Sequence, residues 1–192
     1  MVVGDGAVGL CAILAARRLG AERVIVLGHH PDRLAIAERF GATDIVAERG
    51  QAAVERVREL TGAGCPHVVE CVGTAAAYDT AIGCASAGGT VGHLGSPVEP
   101  LVLRDVHIRN VRLTGGRAPV RGYIPELMAD VLAGRLDPSP VMDVAVPLEE
   151  VPAATPQWTS GVPSRCWCAS GRPERSARSS PRLGSHAAPS SW

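Results

Sequence analysis

The sequence predicts an open α/β fold built on a doubly wound parallel sheet. Three observations predict it. A short buried strand runs directly into a glycine-rich turn and an apolar helix. Strand-like and helix-like runs then alternate as far as Gly134, and glycines close most of the helical runs. Strands separated by helices pair in parallel through right-handed crossovers, with helices covering both faces of the sheet.

The first element is Val2-Val3, followed by Gly4-Asp5-Gly6-Ala7-Val8-Gly9. The spacing G-x-G-x-x-G asks for glycine for three reasons. Gly4 allows the tight turn off the strand, Gly6 lets backbone amides approach a pyrophosphate, and Gly9 lets the helix pack closely on the sheet. The exposed N–H groups and positive dipole end of the next helix would receive the phosphates. A tight turn in an ordinary α/β protein would carry the same glycines. The context favours dinucleotide binding: a helix Leu10–Leu19 ends at Gly20, and a strand Arg23–Leu27 completes a β-turn-α-β unit of about 30 residues.

After a loop, Gly28-His29-His30-Pro31, a helix from Asp32 to Phe40 carries Leu34, Ala37 and Phe40 on one stripe, with Asp32 at its start. Asp44-Ile45-Val46 is a short strand. Ala52–Leu60 is an amphipathic helix with Val54, Val57 and Leu60 on one side, stopped at Gly62. His67–Val72 is the next strand, and a helix spans Ala75–Ala85. Gly88-Gly89 turns the chain into a strand Thr90–Leu94. Ile108–Leu113 is a further strand, and Tyr123–Ala133 a helix ended by Gly134.

Composition narrows the function classes. The chain is 46% apolar and 20% charged, as a globular domain is, and no apolar run approaches the length of a membrane span. Residues 1–154 hold 14 Arg against 18 acidic residues, and no basic stripe marks a nucleic-acid surface. No secretory signal pattern is present, so the expected location is the cytoplasm. Cys11, Cys65, Cys71 and Cys84 are scattered through apolar segments without metal spacing, as reduced core thiols are.

Four runs together carry a family resemblance: V-V-G-D-G-A-V-G-L, R-L-A-I-A-E-R-F-G-A-T-D, V-V-E-C-V-G and A-G-G-T-V-G-H-L-G. In this order, over residues 1–154, the chain resembles the coenzyme-binding domain of the medium-chain, zinc-type alcohol dehydrogenases. The resemblance implies a Rossmann domain, residues 1–135, and a return segment, 136–154, leading back to a catalytic domain. It implies a hydride-transferring oxidoreductase for a small alcohol, polyol or aldehyde, using NADP or NAD and a zinc ion. The zinc ligands and the G-H-E-x-x-G signature of that catalytic domain do not occur here, and Met1 resembles an internal start. This chain therefore offers no metal ligands and no catalytic residue, and on its own is expected to bind coenzyme at best.

The expected coenzyme site runs along the carboxyl edge of the sheet. Gly4, Asp5, Gly6, Ala7, Val8 and Gly9 hold the pyrophosphate. The second strand ends at Gly28, where an acidic residue would bind the ribose hydroxyls and repel a 2′-phosphate. A small residue there, followed by His29, His30 and Arg33 as donors, favours NADP over NAD, and an aspartate placed at Gly28 is expected to reverse that preference. The bland alternative makes these three residues solvated surface groups. Val72-Gly73 is expected beside the adenosine half of the coenzyme and Leu94-Gly95 nearer the nicotinamide, although both glycines could be ordinary loop residues. Glu70 has no partner visible in the sequence and is not assigned to catalysis. Alternatives from other classes are a non-catalytic nucleotide-binding module and, ranked last, an S-adenosylmethionine-dependent methyltransferase, which usually wants an acid where Gly28 stands. A homodimer through the edge strand near Ile108–Leu113 is the expected assembly.

From Thr155 onward the character changes. Here 17 of 38 residues are Ser, Pro or Gly, and no helical or strand period is visible, which predicts a disordered tail. A one-base slip near Ala154 accounts for it. Under that slip Trp158-Thr159 encodes aspartate, Cys166-Trp167 leucine and Trp167-Cys168 valine. The corrected reading Y-P-A-M-D-E-R-R-A-I-K-V-L-V-R resembles the closing helix and strand of the family. Cys166-x-Cys168 is then a codon accident without a metal role.

Overall fold

The computed structural model describes residues 1–142, 144–150 and 166–169. Chain contacts divide into two compact units, Met1–Asp143 and Val144–Trp192.

The first unit is a Rossmann domain. Its elements are β1 (Val2–Val3), α1 (Ala7–Arg18), β2 (Ile25–Leu27), α2 (Pro31–Arg39), β3 (Asp44–Val46), α3 (Gly50–Thr61), β4 (Cys65–Glu70), α4 (Ala75–Cys84), β5 (Ala85–His93), α5 (Arg104–Ile108), β6 (Arg112–Gly115) and α6 (Val120–Leu132). The strands form one parallel sheet in the order β3-β2-β1-β4-β5-β6. The chain winds outward from β1 to β3, then returns to lay β4 on the other side of β1. That reversal opens a crevice at the carboxyl ends of β1 and β4, where open α/β sheets bind ligands.

The two-residue periodicity of the strands sorts the core into two layers. Val2, Val24 and Val26 point to one face and pack with Leu10 and Ile13 of α1 and Ala37 of α2. Val3, Ile25 and Val68 point to the other and pack with Ala53, Val54 and Val57 of α3 and Ala81 and Ile82 of α4. The stripes expected on α2 and α3 face inward as read: Ala37, Phe40, Val54 and Val57 are buried.

Several expectations need correction. Ile108–Leu113 is not one strand: Ile108 ends the short helix α5, exposed to solvent, and the edge strand begins at Arg112. The strand after α4 starts at Ala85 rather than beyond Gly88-Gly89, and its pairing with β4 shifts register between Cys65 and His67. Asp32 makes no capping hydrogen bond; Pro31 opens α2, and Asp32 supports its first turn as a negative charge at the dipole's positive end. Cys11 is exposed, whereas Cys65 and Cys84 are buried. Burial pushes the Cys84 thiol up to about 12, so it stays protonated.

In the second unit β7 (Val144–Pro147) pairs in parallel with β8 (Cys166–Ala169). The expectation of a tail without strand period fails at β8, because Cys-Trp-Cys-Ala is an apolar run able to satisfy its backbone in a ladder whatever its coding origin. The remaining tail and the slip near Ala154 lie outside the described residues. Among the described residues no helix is long and apolar enough to cross a membrane.

Arg23 ties β2, β3 and α3 together. Its Nε and one terminal nitrogen donate to the two oxygens of Asp44 at 2.9 and 2.7 Å, and its other terminal nitrogen donates to the Leu60 carbonyl at 2.9 Å. The Arg23 guanidinium, with the Thr43 hydroxyl, holds the Asp44 carboxyl down to about 2. A carboxyl depressed by folding stabilises above its ordinary value of 3.8 and loses that contribution as pH falls through about 2. Asp44→Asn should therefore flatten the acid limb of the stability curve across that interval and lower stability at neutral pH, as read by urea unfolding at a series of pH values.

Candidate functional site

The glycine turn meets each demand placed on it. Gly4 has φ of +108°, which side chains rarely adopt, and its N–H donates to Leu27 at 2.9 Å. A Cβ on Gly9 would collide with the Gly4 carbonyl, so only glycine lets α1 start directly above the end of β1. Gly6 precedes α1 in an extended conformation without a side-chain cap, and a Cβ there would meet nothing within 4 Å. The first-turn N–H groups, at Ala7, Val8 and Gly9, have no acceptor within the helix, whose first intrahelical bond runs from the Leu10 N–H to the Gly6 carbonyl at 2.9 Å.

Beside the turn lies a cleft of about 500 Å³. Gly4, Asp5 and Gly6 line it from the turn, Gly28, His29, His30 and Arg33 from the end of β2, and Val72 from the end of β4. Two further walls escaped the sequence reading. One is the β3–α3 connection, 47–50, which follows from β3 lying next to β2. The other is the amino-terminal half of α4, with Thr74, Ala77 and Thr80.

Asp5 organises the β2 end of this cleft. Its side chain is 6% exposed and spans the gap from the glycine turn to the loop after β2. One carboxylate oxygen accepts the N–H groups of His29 and His30, each at 2.9 Å. The His30 Nδ1 lies 2.9 and 3.0 Å from the two oxygens, so that nitrogen carries the proton and donates. Arg33 adds an ion pair at 3.5 Å. Burial pushes the Asp5 carboxyl up, but the hydrogen bonds from His30 and His29 outweigh it and hold the group below its ordinary value. His29 is held below its ordinary value by burial and by neighbouring His30 and Arg49.

This geometry corrects the reading of Gly28. The space beside it is filled: a Cβ on Gly28 would stand 2.6 Å from the Asp5 Cβ and 2.8 Å from a carboxylate oxygen. Gly28 is glycine because Asp5 leans over it, so aspartate at Gly28 cannot be added without displacing Asp5. His30 and Arg33, expected as free donors, are already engaged with that carboxylate.

At the ends of β4 and β5 the predicted residues are brought together. Glu70 is fully buried, and one of its oxygens accepts the N–H groups of Val72 and Gly73 at 2.7 and 2.9 Å. Its other oxygen has no hydrogen-bond partner. A Cβ on Gly73 would meet the Ser96 carbonyl at 2.5 Å, and one on Gly95 the free Glu70 oxygen at 2.6 Å. These glycines let the two loops close on each other. Tyr78 of α4 locks the junction, its hydroxyl donating to the Gly95 carbonyl at 2.8 Å and lying 3.1 Å from His93 Nδ1. Leu94 is exposed beside them. Glu70 thus supports the β4 and β5 loops.

The family profile described as zinc-binding dehydrogenase matches residues 7–133. The chain belongs to that family. Among its relatives, geraniol dehydrogenase of Castellaniella defragrans is 33% identical over 142 residues, covering 70% of this chain and 38% of the relative. A probable zinc-binding alcohol dehydrogenase of Mycobacterium tuberculosis is 34% identical over 155 residues, covering 78% and 39%. Among solved structures, the alcohol dehydrogenase TADH from Thermus sp. ATN1 superposes with a TM-score of 0.75 at 32% identity, covering 86% of this chain and 49% of its own. The chain thus spans less than half the length of these relatives.

The coenzyme and zinc that the family implies fare differently against the residues present. The open Gly6 and the cleft beside it fit a dinucleotide. Among the described residues, Asp5, His29 and His30 alone bring three metal-ligating side chains within 4.8 Å, and there the Arg33 guanidinium already stands against the carboxylate. That cluster lies at the β2 end of the cleft and does not fit a catalytic zinc.

Replacing Glu70 by Ala leaves the N–H groups of Val72 and Gly73 without their acceptor in a buried loop. Thermal and urea unfolding should show a loss of about 1–3 kcal/mol.

Proposed function

We propose that this chain is the coenzyme-binding part of an alcohol dehydrogenase-type oxidoreductase, which transfers hydride between NADP(H) and a small alcohol or carbonyl. The observation that carries the reading is the open Gly6 at the amino end of α1, set at the reversal of strand order beside a cleft of about 500 Å³. The pyrophosphate rests on the N–H groups of Ala7, Val8 and Gly9, drawn by the helix dipole. The adenosine ribose lies against Gly28, His29 and His30, and Val72 covers the adenosine half. The nicotinamide lies toward Leu94 and Gly95, on the platform made by Glu70 and Tyr78. In the whole enzyme zinc supplies Lewis-acid polarisation of the substrate oxygen. This chain's part is to bind and orient the coenzyme.

NADP is favoured over NAD because His29, exposed at the cleft, and the outer edges of His30 and Arg33 offer donors to a 2′-phosphate, while no acidic side chain stands on β2 itself. The free thiols Cys65 and Cys84 suit a reducing, cytoplasmic setting.

The test is Gly6→Val. A branched side chain there fills the open space, and both NADP(H) and NAD(H) should bind at least about tenfold more weakly in fluorescence titration, at an unchanged melting temperature. Binding as tight as the parent's would sink the assignment.

The same reading extends to assembly. β6 is one of the two outermost strands, and among the described residues no further strand pairs with its outer edge, which is where a second copy would pair. Light scattering should show concentration-dependent association, weakened when Leu113, central in β6, is replaced by Pro.

A further inference from the structure

We infer that Asp5, inside the glycine turn, occupies the place of the acidic residue that dinucleotide-binding folds carry at the end of the second strand, and that it tunes the coenzyme choice by pairing His30 and Arg33. The inference rests on the coenzyme reading above and concerns the same cleft.

Three observations carry it. First, the Asp5 carboxylate stands where a side chain from Gly28 would stand, since a Cβ on Gly28 falls 2.6 Å from its Cβ and 2.8 Å from an oxygen. The negative charge comes from the glycine turn that follows the neighbouring strand, and the register of Val3 against Leu27 brings that turn beside the end of β2. Second, its oxygens are already engaged by this chain's own donors. They accept two consecutive backbone N–H groups and the His30 ring, so the carboxylate shapes the loop rather than reading the sugar hydroxyls. Third, Arg33 lies 3.5 Å from it with its side chain only 17% exposed. The charge that Arg33 presents to a phosphate is therefore partly cancelled from behind.

Asp5 is thus a positioning residue with two separable effects. The hydrogen bonds order the loop for either coenzyme, and the charge discriminates between them through the 2′-phosphate, since the pyrophosphate is common to both. Neutralising Asp5 leaves Arg33 uncompensated and favours NADP. Moving the carboxylate to residue 28 restores an acid on β2, able to accept ribose hydroxyls and repel a phosphate, and favours NAD.

The experiment titrates NADP(H) and NAD(H) against the full chain and five variants, with melting temperatures for each. Asp5→Asn should raise the NADP-to-NAD affinity ratio by about tenfold, and the gain should shrink in high salt. In the Arg33→Gln background the same substitution should leave the ratio unchanged. Gly28→Asp alone should lower the melting temperature, and Asp5→Gly combined with Gly28→Asp should restore it and turn the ratio toward NAD. A ratio that stays constant in both Asp5→Asn and the double variant, in a chain that binds coenzyme, overturns the inference and leaves the cleft reading standing. A parent chain that binds neither coenzyme overturns the cleft reading, and the role of Asp5 in coenzyme choice falls with it. Failure of the double variant to recover the melting temperature of Gly28→Asp overturns the claim that Asp5 holds the place of the strand-end acid.

Discussion

The close approach of α1 to the end of β1 is the constraint on which the rest of the domain depends. Because Gly9 has no side chain to strike the Gly4 carbonyl, the helix begins within four residues of a two-residue strand. Leu10 and Ile13 then fall onto the face of the sheet that Val2, Val24 and Val26 present. The same contact aims the helix dipole at the crevice where the order of strands reverses. A single steric allowance therefore fixes both the packing of one core layer and the direction of the α1 dipole.

The walls of the crevice are held by groups that do not face it. Glu70 supports the loop after β4 from within the core, and Tyr78 binds that loop's neighbour from α4. At the other end of α4, Arg58 and Arg109 donate to carbonyls of its last turn, Arg109 reaching Ile82, Gly83 and Ala85. Two cations at a helix's carboxyl end satisfy its orphan acceptors and oppose its dipole. The helix that forms one side of the cleft is thereby fastened at both ends.

Much of this architecture is legible in the sequence because local signals and global fold agree. Apolar spacing marks α2 and α3, glycines mark where they stop, and the glycine turn marks β1 and α1. The failures occur where a local signal has two solutions. Val111 and Leu113 alternate with Arg112 as a strand would, yet Ile108, out of phase with them, closes a five-residue helix and the sheet is joined only from Arg112. The site is legible in outline, since strand order alone brings Gly4, Gly28, Val72 and Gly95 to one edge. What sequence cannot display is the contact between Asp5 and Gly28, because it depends on the register of β1 against β2 and on a side chain crossing between them. The segment 47–50 escaped for a similar reason: its place follows from β3 lying beside β2, and no motif marks it.

The helix α6 has a consequence for how the domain comes apart. None of its residues is buried, and Tyr123, Ile124, Leu127 and Met128 are exposed along it. Its attachment to α1 runs through Arg18, which donates to Glu126 and Asp130 at 2.6 Å each. Exposed ion pairs stabilise weakly and are screened by salt. An element held this way, with no buried side chain of its own, is expected to open locally before the sheet does, and more readily as ionic strength rises.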